Sequence, residues 1–399
     1  MSPGARAGGS TTESILDAAV AELLAVGQAD FSMESVAKRA FYSIGTVYNR
    51  WSDRDALLAD VALERVLPTL VHGIDAGESR EHVIDWLLGD GQPQALLAGE
   101  ILLAGRTSPT VRPASRAVWE GTVSGLGQSL PMSMAWYVAT YAVGTALLEV
   151  IGAAGPHPAR GRVAWFVDAC VSAAPVAGGR QLRSTFESIE IPVVPDPSRS
   201  DAVARALVGA ARELLAERGA ASTSTRDIAA GAGVTTGALY RRYDGKSGLL
   251  ADVLLTQLQP DRYAWTWELV TALATEDPLS DAAGVLGRRM LEVASDEQAQ
   301  AVLLQLGIAA RNDPVLQSQV AERIAAAHAA RVDMAMHFAQ TGLLRADVAP
   351  EVLVWGFQAI PVGVRATQAA GIGLDGNVVS ASMEALLRSA AARPADAQD

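Results

Sequence analysis

Apolar positions recur at helical spacing almost from the start of the chain. Ile15, Ala18, Ala19, Leu23 and Leu24 predict an amphipathic helix over 11–26, stopped by Gly27. Ser32 stands as N-cap of a short helix over 33–40. A tight turn and a second short helix over 43–50 follow, and another helix starts near Asp53. The same pattern returns without a gap at an offset of 192 residues, which puts Gly219 in the place of Gly27. It predicts helices over 200–218, 225–232 and 235–242 and a further one from Gly245, with Ser224 and Asp227 forming a capping box. The register holds as far as Leu249-Leu250-Ala251-Asp252-Val253, which repeats Leu57-Leu58-Ala59-Asp60-Val61. Repeats of one short helix rarely stay aligned so long, so the pattern marks a duplicated domain.

Strand signals are nearly absent, and the fold class is all-α. Each repeated unit, 10–60 and 200–252, leads into a longer stretch of apolar helical pattern, 61–174 and 253–392. These longer stretches match more faintly. Leu103-Ala104-Gly105-Arg106 resembles Ile308-Ala309-Ala310-Arg311, and Val143-Gly144 resembles Val362-Gly363 within uncharged helices near 132–152 and 350–371. A final helix is expected near 160–174 and again near 376–392. Between the two halves, 175–199 contains Pro175, Pro192, Pro195 and Pro197 and reads as a linker.

Half of the 399 residues are apolar, enough to bury a sizeable core. A single cysteine, Cys170, excludes an intrachain disulfide framework and fits a reducing cytoplasm. No charged-then-apolar leader is expected at the N-terminus. The uncharged run from Gly121 to Leu148 is divided by Pro131, which leaves a stretch at the lower limit for crossing a bilayer and favours a buried helix. The net charge of −12 disfavours nonspecific binding to polyanions, so any such contact must rest on local charge. From Asp30 to Asp60 there are four basic and five acidic residues; from Ser222 to Asp252, four and three.

The two short helices and the turn between them have the layout of a helix-turn-helix, whose second helix enters the major groove. Its exposed face would offer Tyr42, Ser43, Ile44, Thr46 and Asn49 in the first unit, and Thr235, Thr236 and Arg241 in the second. Hydroxyls bond phosphates or bases, and Ile44 or a threonine methyl can touch a thymine methyl. Gly45 and Gly237 interrupt this helix at a cost of about 1 kcal/mol each against alanine, which suggests a close approach to the first helix or to a DNA backbone.

The second unit carries Gly219, Ser224, Ile228-Ala229, Ala232-Gly233-Val234, Thr235, Gly237, Leu239-Tyr240, Tyr243, Lys246 and Leu249-Leu250. This resembles the N-terminal DNA-binding domain of the TetR/AcrR family of bacterial transcriptional regulators. The first unit follows the pattern with departures: Phe41-Tyr42 replace Gly-Val, Trp51 fills the aromatic place, and Arg54 stands for lysine. Phe41 disfavours a left-handed turn, so an altered turn is expected there. The resemblance implies phosphate contacts by Tyr48, Tyr240, Arg54 and Lys246, and Ser32 and Ser224 either cap helices only or add phosphate contacts. It further implies a small-molecule effector bound within the helical bodies. Trp86, Trp119, Trp136, Tyr137, Trp265, Met290 and Trp355 are candidate lining residues, and their apolar character suits a hydrophobic ligand.

The expected molecule is a pair of fused units in which the helices near 132–174 pack against those near 350–392, a pseudo-twofold dimer within one chain. Its partners would be double-stranded DNA and an effector, with no membrane and no cofactor. The five histidines are scattered, and no phosphate loop, zinc spacing or nucleophile elbow is evident, so an enzyme has no residue to rest on. A ligand-binding or interaction module whose heads have lost DNA is the alternative, supported by the charge and by Phe41-Tyr42.

Overall fold

The computed structural model describes residues 10–152 and 201–390, apart from 76, 78, 221, 259–267, 269–270, 273–274, 276, 341–348 and 374. The linker over 175–199, the final helix expected near 160–174, Cys170 and Trp265 lie outside the described residues. Those described form helices and connecting turns, with no strand among them.

The first unit contains α1 (Thr11–Asp30), α2 (Met33–Ala40), α3 (Ile44–Tyr48), α4 (Arg54–Val61), α5 (Leu67–Asp75), α6 (Arg80–Leu88), α7 (Gln92–Thr107), α8 (Arg112–Gly127) and α9 (Met132–Val150). A π-turn, Ala62–Val66, joins α4 to α5. The second unit contains α10 (Ala202–Arg218), α11 (Thr225–Gly231), α12 (Thr236–Tyr240), α13 (Lys246–Leu258), α14 (Pro278–Ser295), α15 (Glu297–Asn312), α16 (Pro314–Gln340), α17 (Pro350–Ala369) and α18 (Gly376–Ala390).

Each head folds around the same buried positions. Ile15, Ala19, Leu23, Val36, Val47 and Trp51 form the first core; Leu207, Ala211, Leu215, Ile228, Leu239 and Tyr243 form the second at the repeat offset. Gly27 and Gly219 share one left-handed conformation, φ 76°, ψ 171° and φ 78°, ψ 169°. The first helix does not stop there. It bends at Gly27 and resumes to Asp30, whereas its counterpart ends at Arg218.

The turn expected to differ is conserved in shape. Phe41 adopts φ 59°, ψ 36°, and Gly233 at the equivalent place has φ 67°. The amide after each closes the same turn: Tyr42 N donates to Ala37 O at 3.0 Å, and Val234 N to Ala229 O at 2.9 Å. Phe41 therefore holds a backbone conformation that an L side chain disfavours by roughly 1–2 kcal/mol.

Helices α9 and α17 form the most extensive helix pair among the described residues, and α9 is buried along most of its length. Small residues allow the approach. A side chain on Gly144 would collide with the Ala359 carbonyl, and one on Gly363 with the Thr140 carbonyl. Trp355 Nε1 donates to Thr145 Oγ1 at 3.0 Å across the same seam, and Ser382 Oγ in α18 donates to Ser133 O at 2.7 Å. No helix among the described residues is long and apolar enough to cross a membrane, and the uncharged run is explained by this internal burial.

Candidate nucleic-acid interface

Each head presents a short, capped helix on its surface. Ser43 Oγ accepts from Thr46 N at 3.1 Å, and Thr235 Oγ1 accepts from Ala238 N at 3.2 Å, so each first residue of the turn fixes the helix after it. Around α3, Ser43, Ile44 and Asn49 are exposed, while Thr46 is half-buried and bonded to Ser43 Oγ at 2.8 Å. Tyr42 is half-buried as well, packed against the core. Around α12, Thr235, Thr236 and Arg241 are all exposed. Tyr48 and Tyr240 stand 51% and 56% exposed, too open for packing residues, and the Tyr240 hydroxyl lies 3.3 Å from Thr225 Oγ1.

Gly45 and Gly237 stand in open surroundings. A Cβ on Gly45 would meet only Ser43 Oγ at 3.8 Å, and one on Gly237 only Thr235 Oγ1 at 3.8 Å and Arg241 Nη1 at 4.0 Å. Neither glycine is required by contact with the first helix.

Ser32 and Ser224 act as caps. Ser32 Oγ accepts from Ser35 N at 3.1 Å, and Ser224 Oγ from Asp227 N at 3.2 Å. The Ser224 hydroxyl and amide both donate to the Asp227 carboxylate and hold it below the usual range. The Ala56 amide does the same to Asp53 at the start of α4, aided by the Ser52 hydroxyl.

Arg54 and Lys246 have internal roles. Arg54 donates to the carbonyls of Phe31, at 3.0 Å, and Gln28, and pairs with Asp55 at 3.2 Å. Lys246 donates to the carbonyl of Ala220, which is the repeat counterpart of Gln28. Burial pushes the Lys246 ammonium below its ordinary range, against the pull of Asp313. Both cations thus close the chain end that follows the bent glycine.

Two further pairs were not visible in the motif. Arg50 and Arg242 tie α3 and α12 to the start of the first helix: Arg50 Nε donates to Thr12 Oγ1 at 3.1 Å, and Arg242 pairs with Asp201. Glu100 and Gln305 dock the heads on the bodies. Glu100 Oε2 accepts from Gln28 N at 2.7 Å, and Gln305 Oε1 accepts from Ala220 N at 3.2 Å. Extending the faint body repeat backwards from Leu103 and Ile308 would have paired these two residues. Burial pushes the Glu100 carboxyl above the usual range, while the Gln28 amide and Arg311 oppose it.

The candidate effector residues separate in space. Trp119 lines a closed apolar cavity in the first body, with Leu70, Leu87, Leu102 and Val118 among its neighbours; about 10 Å³ is free, the room of one water. Tyr137 and Trp355 sit instead at the α9–α17 seam, where Tyr137 stacks on Tyr141 with ring centres 6.2 Å apart. Trp86 is half-buried and covers Gly73 and Gly91. Trp136 and Met290 are buried in α9 and α14. No group of three or more His, Cys, Asp or Glu able to hold a metal occurs among the described residues.

The model of the family described as "Bacterial regulatory proteins, tetR family" matches residues 15–61 and 207–253. No curated protein matches the chain. Among solved structures, one from Rhodococcus sp., named as a TetR-family transcriptional regulator, is 19% identical with a TM-score of 0.34, over 47% of this chain and 97% of that one. NalD, the secondary repressor of the MexAB-OprM multidrug efflux pump in Pseudomonas aeruginosa, is 22% identical with a TM-score of 0.35, over 47% and 97%. A TetR family transcription regulator from Marinobacter aquaeolei VT8 is 23% identical with a TM-score of 0.31, over 49% and 100%.

Proposed function

We propose, from the premise that the chain belongs to the tetR family of bacterial regulatory proteins and carries its domain twice, that it is a ligand-responsive repressor whose two unlike heads read one asymmetric operator. The observation that carries this reading is the pair of matching but chemically different faces on α3 and α12. Ser43 and Ile44 occupy the places of Thr235 and Thr236, and Asn49 that of Arg241, all exposed. Arginine pairs with guanine and asparagine with adenine, so equal docking would still select unequal bases. Tyr48 and Tyr240 supply hydroxyls to phosphate, which set register without reading sequence.

In this proposal residues 10–60 and 200–252 are the heads, 61–174 and 253–392 the effector and dimerisation bodies, and 175–199 the linker. The bodies form a pseudo-twofold dimer in one chain, a reading supported by the reciprocal contacts of Gly144 and Gly363. The heads would occupy successive major grooves about 34–36 Å apart. An apolar effector would enter the first body beside Trp119 by stabilising a state in which the closed cavity has opened, shifting the population away from the DNA-fitting spacing. The molecule would act in the cytoplasm.

Selection of bound sequences from a random DNA pool, followed by base-by-base mutation of the winner, tests the reading. Two unlike half-sites are expected. A palindrome with equal penalties in both halves would exclude the asymmetric operator, and absence of any selected sequence would exclude DNA binding.

A further inference from the structure

We infer that Arg311, a residue of the second body, positions the first head, so that one helix, α15, holds both heads at once. Arg311 Nη1 donates to Glu100 Oε1 at 2.6 Å, and Nη2 donates to the carbonyl of Leu24 in α1. The pair is nearly dry, its side chains 12% and 8% exposed. The second Glu100 oxygen takes the Gln28 amide at 2.7 Å. One carboxylate therefore joins the first head, the first body and the second body. Gly27 leaves room for this: a side chain there would run into the Arg311 guanidinium.

Among the described residues the second unit shows no such arrangement. Its docking residue, Gln305, is neutral and takes the Ala220 amide from within its own unit. Gln305 and Arg311 both belong to α15, six residues apart, which is about 9 Å along the axis and about 120° around it. Just beyond α15, Asp313 accepts from Ser247 Oγ of α13 at 2.6 Å, a second tie to the second head. Any shift of α15 acts on both heads through directional bonds that are buried or half-buried. A buried ion pair of this kind adds little net stability but fixes geometry, because each charge left alone is severely penalised. A carboxyl group at 100, where the second unit has Gln305, offers the Arg311 guanidinium an acidic partner from the other unit.

The inference rests on the reading of two DNA-binding heads, but its first test does not use DNA. Spin labels at Glu34→Cys and Arg226→Cys, equivalent exposed positions on α2 and α11, report the head-to-head distance in a Cys170→Ser background. A single narrow distribution is expected, broadened and displaced by Glu100→Gln or Arg311→Met and restored in part by Arg311→Lys. Glu100→Gln keeps the Gln28 bond and matches the chemistry of the second unit, and circular dichroism establishes that each variant compared is folded. Unlabelled chains are then titrated with the selected operator and with versions whose spacer is lengthened or shortened. The parent should lose affinity steeply away from the best spacer. The variants should lose about tenfold at the best spacer and little elsewhere. An unchanged distance distribution in both folded variants, or an equal loss at every spacer, overturns the inference. A distance that responds in a chain that binds no DNA supports the brace and refutes the regulator.

Discussion

Gly144 and Gly363 face each other in reciprocal fashion: each lies against the carbonyl four residues earlier than the other, Gly144 on Ala359 and Gly363 on Thr140. In a twofold interface, contact i to j implies contact j to i. Here the two partners are stretches of one chain that share, in one register, Trp136 with Trp355 and the Val-Gly pair. The reciprocity survives where the sequence likeness has mostly gone.

Alanine at either glycine should therefore be severely destabilising. The added methyl meets backbone, which cannot rotate away, and separation of α9 from α17 should cost about 3 kcal/mol or more. Chemical denaturation of Gly144→Ala and Gly363→Ala checks this; a loss under about 1 kcal/mol in either would show that the helices do not approach so closely.

The recognition-helix glycines should behave in the opposite way. Nothing among the described residues opposes a methyl on Gly45 or Gly237, and alanine is the better helix former by about 1 kcal/mol. Gly45→Ala and Gly237→Ala should raise the melting temperature while weakening operator binding. Unchanged affinity would indicate that DNA does not come close to these positions.

Phe41 holds a glycine conformation with 79% of its surface exposed. Phe41→Gly removes the strain and little packing, so the first head should gain about 1 kcal/mol. Hydrogen exchange of the α2 and α3 amides would detect it, and a loss of protection would mean that the side chain stabilises the turn.

Arg241 and Lys246 should separate by salt dependence. Arg241 is exposed at the C-terminal cap of α12, whereas Lys246 serves the Ala220 carbonyl. Arg241→Ala should lower the slope of log affinity against log salt by about one. Lys246→Met should leave the slope unchanged and lower head stability by about 1–2 kcal/mol. The reverse assignment of slopes would place Lys246 on phosphate.

Acid should loosen the heads together. Asp53, Asp227 and Asp313 all have pKa values held below the ordinary 3.8, by the Ala56 amide, the Ser224 hydroxyl and the Ser247 hydroxyl in turn. Depressed values stabilise the fold above the unfolded pKa, and that contribution disappears as pH falls through the lower folded values. Circular dichroism melts should be flat with respect to these groups above about pH 5 and decline below about pH 4. Asn replacement at Asp53 and Asp227 should flatten that decline; a decline of unchanged depth would assign it to other carboxylates.

Local features were the most legible in the sequence. Caps such as Ser32, Ser224 and Asp227, and the breaks at Gly27 and Gly219, depend on a few neighbouring residues, and the repeat supplies each kind of signal twice. The turn at Phe41 departs from the preference of its residue because the penalty on one residue is small against the packing of two helices around it. Arg54 and Lys246 bond carbonyls of their own heads, a contact that the motif does not show, since it does not reveal which way a cation faces. Glu100, Gln305 and Arg311 are distant in sequence from the groups they bind, and only folding brings them there. The aromatic residues marked a core without separating cavity from seam, because Trp119 and Trp355 are equally apolar.

The Gly144–Gly363 contact also changes how occupancy would scale. Where two copies must first meet, the active species grows with the square of a dilute protein's concentration. In the proposed arrangement the encounter is within one chain, and tethering would supply an effective concentration on the order of millimolar. Operator occupancy would then rise with the first power of copy number, so that even a few molecules per cell, or an uneven division of them between daughters, would alter the response only in proportion.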